Sequence, residues 1–336
     1  MLQYDEIIGQ EQIKEHFRQA IAKKQVSHAY IIEGELGSGK KSLAAAFAKA
    51  LQCEDGGKEP CGTCQSCMQA ESSNHPDIIT VTHSKPNVLG VDEIREQLVM
   101  DVAIKPYSSR YKIYIIPDAE LMTPQAQNAM LKTMEEPPEY AVIILLTTNV
   151  GRFLPTILSR CVKLSTKPVA SSRVCQYIEQ NYDVDDKSCS FATEFAFGNI
   201  GKAIRCVQSE TFSEVRDLCE DMLANIHHLE IPDMIASVKE VAKYKAELFD
   251  YFDIMKMWFR DVLLLKVSRN PNGMVFTNQY RIMTKQAEVI SYEGIEDIMK
   301  AVDNAKIRIN ANVSVETVLE LLLFRIKEQL KWLKDR

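Results

Sequence analysis

A phosphate-binding loop lacking its metal ligand constrains this chain more than any other feature. From Gly34 the sequence reads Gly34-Glu35-Leu36-Gly37-Ser38-Gly39-Lys40-Lys41, the spacing of a P-loop, with Lys41 where a Ser or Thr normally stands. That hydroxyl is the usual ligand of Mg²⁺, so its absence weakens the case for catalysis while leaving the case for the fold intact. An apolar run through Ala29-Tyr30-Ile31-Ile32 enters the loop and an alanine-rich stretch from Ser42 to Leu51 leaves it. Strand, loop and helix are therefore expected in that order. Gly34, Gly37, Gly39, Lys40, Lys41 and Ser42 are the candidate nucleotide-binding residues of a degenerate loop, with ATP bound weakly or not at all.

A second nucleotide element should lie at the tip of a later strand, where an active ATPase carries Asp-Glu to hold Mg²⁺ and to polarise water. The segment Ile113-Tyr114-Ile115-Ile116-Pro117-Asp118-Ala119-Glu120 occupies that place, with Pro117 at the Asp position and Asp118 at the Glu position. A solvated strand-to-helix turn is the simpler account of Asp118 and Glu120. Two faulty metal-binding elements point to a non-hydrolysing version of an ATPase fold. Further on, Thr123 and Pro124 have the residue types of a helix start, and Pro137-Pro138 stops that helix. A strand ending in Thr147-Thr148-Asn149 follows, and then Ser159-Arg160-Cys161 opens the last strand.

Four of the nine cysteines fall together as Cys53, Cys61, Cys64 and Cys67. Two C-x2-C steps plus a Cys across a Gly-containing loop bring four thiolates onto one ion, the signature of a closed structural zinc site. An iron–sulfur cluster also takes four cysteines, but no redox partner motif accompanies it. A disulfide pair is the remaining alternative, and nothing in the sequence suggests an oxidising compartment.

The net charge of −6 opposes strong independent binding to nucleic acid, which needs clustered Lys and Arg. No apolar run of membrane-spanning length occurs and the opening Met1-Leu2-Gln3-Tyr4-Asp5-Glu6 is polar, so a cytoplasmic protein is expected. Apolar strand-like runs at Ala29 to Ile32, Ile78 to Val81, Lys112 to Ile116, Ala141 to Thr147 and Val162 to Leu164 alternate with helical segments, predicting a mostly parallel sheet with helices on both faces. After Pro168 the strands vanish. Helical patterns run from Ala170, punctuated at Gly198-Asn199-Ile200-Gly201, and long amphipathic helices continue to the end, the last with Leu319, Leu322, Leu323, Ile326 and Leu330 on one stripe.

Together these residues resemble the bacterial clamp-loader family of the AAA+ class. The matching motifs are Ile7-Ile8-Gly9-Gln10, His28-Ala29-Tyr30, the P-loop, the four cysteines, His75-Pro76-Asp77, Met134-Glu135-Glu136-Pro137-Pro138 and Ser159-Arg160-Cys161; they cover residues 1 to about 205. Over the helical remainder, Asn310-Ala311-Asn312 before the last helix carries a looser likeness. The resemblance implies an α/β P-loop domain of AAA+ type over 1–166 with a four-cysteine zinc module at 53–67, a small helical lid over 167–207 and an all-α collar over 208–336. It also implies a subunit of a DNA polymerase holoenzyme with gamma/tau and delta partners in a pentameric ring, acting on a sliding clamp and primer-template DNA. In that family the Ser-Arg-Cys arginine reaches the ATP of a neighbouring motor subunit, a role that falls here on Arg160. Lys202 lies in the region where related motors sense nucleotide with an arginine. The alternative is a self-sufficient gamma/tau-like ATPase that tolerates Lys41, with Ser42 shifting to meet the metal.

Overall fold

The computed structural model describes residues 3–330 and divides into two compact units. The first runs to Val174 and takes in Gly198–Lys202; the second takes in Cys175–Phe197 and the described residues from Ala203 onward.

The first unit is built on a five-stranded sheet of order β2-β3-β4-β1-β5, with β1 Ala29–Glu33, β2 Ile78–Thr80, β3 Lys112–Ile116, β4 Ala141–Thr147 and β5 Val162–Ser165. Every pairing is parallel. Parallel strands covered on both faces read as continuous apolar runs, and β3 and β4 are buried along their whole length. Side chains alternate between the faces. Ile31, Tyr114, Ile116, Ile143 and Leu145 join one core with Met130 and Ile157, while Tyr30, Ile32, Ile113, Ile115, Ile144 and Leu146 join another with Phe17 and Phe47. The alanines of the helix Lys40–Gln52 let it lie close on the sheet, where Phe47 stacks on Phe17 with ring centroids 3.9 Å apart.

This arrangement places the P-loop after β1, the Pro117-Asp118 turn after β3 and the Thr148-Asn149 turn after β4 at the carboxyl edge of adjacent strands. Open α/β sheets bind ligands at that edge. The Gly9-Gln10 motif anchors the entry segment. The Gln10 amide donates to the Lys167 carbonyl at 2.7 Å, and its Oε1 accepts from the Lys167 N–H at 2.9 Å.

The regular elements of the second unit are all helices among its described residues. Its core gathers Phe195, Phe212, Phe252, Trp258, Phe259 and Phe276, together with the stripe Leu319, Leu322, Leu323, Ile326 and Leu330. Two of its buried polar side chains are linked in series: Trp258 Nε1 donates to Gln286 Oε1 at 2.8 Å, and the Gln286 amide donates to the Leu223 carbonyl at 2.8 Å. No described helix is long and apolar enough to cross a membrane.

Candidate functional site

The P-loop turns on two left-handed glycines, Gly37 at φ +85° and Gly39 at φ +88°, a conformation that side chains resist. Gly39 starts the helix Lys40–Gln52, so its first amides face the loop as they would face an anion. Lys40 is buried, and its Nζ donates to the carbonyls of Gly34 at 2.6 Å and Glu35 at 2.7 Å. Burial lowers its pKa, opposed by the charges of Glu120 and Asp118 and reinforced by Lys41. Lys41 is exposed, and Ser42 lies one residue further along the helix, turned about 100° around its axis. The loop thus has the shape and the lysine for a phosphate, while the position that should offer a hydroxyl to Mg²⁺ offers an ammonium on the surface.

Glu120 is not the solvated residue that the turn suggested. Its Oε1 accepts from the Thr148 N–H at 3.1 Å and the Thr148 hydroxyl at 2.5 Å. Its Oε2 is buried with no hydrogen-bond partner among the described residues. Burial pushes its carboxyl up, but the donors around it prevail and hold it below the usual range. Asp118 adopts the left-handed conformation at φ +48°. Asn149 is committed to its own turn, accepting from Gly151 N–H at 2.9 Å.

The outer rim of the loop is braced from a distant stretch. The Asn199 amide donates to the Leu36 carbonyl at 2.8 Å, and the Gly201 N–H donates to the Gly37 carbonyl at 3.0 Å. Gly201 stands in the first turn of the helix Ile200–Gln208, where amides have no partner within the helix. A side chain at Gly201 would meet the Gly37 backbone at 2.6 Å. Lys202 donates its backbone N–H to Asn199 Oδ1 at 3.1 Å.

The sulfurs of Cys53, Cys61, Cys64 and Cys67 lie within 4.8 Å of one another, and the Cys61 and Cys67 sulfurs are 4.0 Å apart. A tetrahedral ion with bonds of about 2.3 Å to sulfur spaces its ligands by about 3.8 Å, so the four fit one ion and leave no open position. Backbone N–H groups of Cys61, Cys64 and Cys67 each point at the preceding sulfur of the set at 3.4 Å. Gly62, at φ +77°, allows the tight turn between Cys61 and Cys64. Donors from Thr63 and Cys64 hold the Cys61 thiol down to about 6, whereas burial pushes Cys67 up. The Gln65–Glu71 helix of this module is tied to the core by the Lys49–Glu71 ion pair.

His75 and Asp77 form a clip beside the module. His75 Nδ1 accepts from the Asp77 N–H at 3.1 Å, so the proton sits on Nε2, which faces the Ser66 hydroxyl at 3.0 Å. Ser66 already donates to the Gln52 carbonyl at 2.7 Å. A histidine with its proton on that nitrogen cannot take one from Ser66, so this trio braces the packing and does not make a nucleophile. Asp77 accepts from the backbone N–H groups of Tyr107, Ser108 and Ser109 at 2.6, 2.9 and 3.0 Å. Burial raises its pKa, but the Ser108 and Tyr107 donors outweigh that and hold it below the usual value.

A depressed folded-state pKa contributes stability that is complete above the unfolded value, about pH 4, and is lost as pH falls through the lower folded value. We therefore expect Asp77→Asn to cost about 1–3 kcal/mol at neutral pH and to weaken the acid limb of a urea-midpoint profile measured from about pH 2.5 to 7. An unchanged acid limb would remove Asp77 from that role.

Arg160 lies just before β5, at the end of the short helix Pro155–Leu158, with its side chain 33% exposed. Its guanidinium pairs with Glu135 at 2.8 Å, a partner the sequence did not announce.

A doubly covered parallel sheet with a P-loop after its first strand, followed by helical segments, defines a protein of the AAA+ P-loop type. A crystallised DNA polymerase III gamma subunit-related protein from Thermotoga maritima shares this fold with TM-score 0.52 at 20% identity, over 94% of this chain and 99% of that one. The chain is similar to clamp-loader subunits of DNA polymerase III. The family model described as "DNA polymerase III, delta subunit" matches residues 9–170. The chain is 29% identical to the delta' subunit of DNA polymerase III from Bacillus subtilis over 318 residues, 92% of this chain and 93% of that protein. It is 30% identical to the tau subunit from the same organism over 295 residues, 81% of this chain, and spans about half (52%) of tau.

Proposed function

We propose that this chain is a delta'-like subunit of a DNA polymerase III clamp loader that does not hydrolyse ATP itself and delivers Arg160 to the ATP of a neighbouring gamma/tau-type subunit. The observation that carries the reading is the division between its two sites: the loop that should hold Mg²⁺ presents Lys41, while an arginine stands partly exposed just before β5. A guanidinium supplied in trans stabilises charge on the transferring phosphoryl group, so a subunit can govern hydrolysis that occurs next door. Lys40 still offers a phosphate contact, and any nucleotide bound there is held without the metal's usual hydroxyl.

The four cysteines hold structural zinc, which supplies no chemistry beyond cross-linking the module. The chain works in the cytoplasm as part of a pentameric ring with gamma/tau and delta subunits, helping to open a sliding clamp for loading on primer-template DNA. The lid over 167–207 and the collar over 208–336 serve nucleotide coupling and ring assembly in this reading. The alternative, a motor in which Ser42 meets the metal, requires the helix to rotate by about 100° at its first turn. Reconstitution tests the assignment. Mixed with gamma/tau-type and delta-type subunits, the chain should enter a five-membered complex by light scattering, and failure to join would overturn it.

A further inference from the structure

The Arg160 guanidinium is engaged within its own chain. Nη2 donates to Glu135 Oε1 at 2.8 Å, while Nη1 donates to the Thr156 carbonyl at 2.9 Å and the Ser159 hydroxyl at 3.3 Å. An arginine has five N–H donors. These contacts leave the Nε hydrogen and one on Nη2 to donate to an incoming phosphate oxygen.

Glu135 is the last residue of the helix Pro124–Glu135, and the backbone leaves helical geometry at Glu136. A carboxylate there faces the negative end of the helix dipole, an unfavourable place unless a cation answers it. Arg160 is that cation. The same carboxylate opposes a phosphate contact, because it neutralises the guanidinium and repels the charge that develops on a transferring phosphoryl group.

We propose that Glu135 is a positioning residue for Arg160, holding the guanidinium in reserve and yielding it when a neighbour's phosphate competes. The inference rests on the trans role assigned to Arg160 above. Both partners are partly exposed, 33% for Arg160 and 49% for Glu135, and exposed pairs hold weakly, so a dianionic phosphate can win the arginine.

The test measures ATP turnover by the complete reconstituted complex. Glu135→Gln should raise turnover about two- to five-fold, the size of effect an exposed ion pair can exert, with the KM for ATP unchanged because the neighbour's own loop binds the nucleotide. Glu135→Asp, which keeps the carboxylate, should stay near the wild-type rate. In an Arg160→Ala background the Glu135→Gln gain should vanish, which a merely structural role for Glu135 would not produce. A rate that is unchanged or lower in Glu135→Gln, or a gain that persists without Arg160, would overturn the proposal. If Arg160→Ala slows the complex and Glu135→Gln does nothing, only this inference fails. If Arg160→Ala leaves turnover at the wild-type level, the trans-arginine reading fails and this one with it.

Discussion

Arg160→Ala should reduce the ATPase activity of the assembled complex while leaving assembly intact. An arginine delivered in trans is worth about 10³ to 10⁵ in rate at the site it serves, or about 4–7 kcal/mol of transition-state stabilisation. Turnover of the whole complex should therefore fall by the share that this one site contributes. The side chain's structural work is small by comparison. Its ion pair with Glu135 is partly exposed, and such pairs contribute about 0.2–1 kcal/mol, too little to unfold the first unit. A lost rate with an unchanged melt thus isolates the chemistry. Arg160→Lys sharpens the result: it keeps the charge but not the planar fork, and should recover only part of the rate. Unaltered turnover in Arg160→Ala would remove the assignment.

Loss of the metal should have the largest effect on stability. The purified chain should carry one zinc, and Cys64→Ala should release it, because three sulfurs leave the tetrahedral cage open. Structural zinc binds small peptides with about 10 kcal/mol or more. If only about 3 kcal/mol of that reaches the first unit, its melting temperature drops by about 10 °C. The second unit should melt as before, since all four cysteines lie in the first. Metal analysis and a two-transition melt check both statements; retained zinc or an unchanged first transition would contradict the cage.

What the sequence disclosed is what local pattern controls. Continuous apolar runs give β3 and β4 because strands buried on both faces tolerate no polar alternation. The P-loop and the cysteine steps were legible because their chemistry depends on short spacing. Contacts between distant residues were not. Glu135 and Arg160 are 25 residues apart and no local pattern pairs them; only the packing of their elements brings them together. Glu120 read as a solvated turn residue, yet Thr148, 28 positions on, captures it. Asn199 and Gly201 read as punctuation between helices, while the structure uses their polar groups to satisfy the P-loop's outer carbonyls. The His75-Pro76-Asp77 motif was visible as a likeness without a mechanism. Its work emerges from the three amides that converge on the Asp77 carboxylate.

The most direct measurement is ATP turnover by the pure, isolated chain in the presence of Mg²⁺, with Lys40→Ala alongside to reveal contaminating activity. A subunit whose chemistry is completed next door should show no turnover above that of the Lys40→Ala protein. Turnover that Lys40→Ala abolishes would contradict this, and would mean that the chain drives its own hydrolysis despite Lys41 and Pro117.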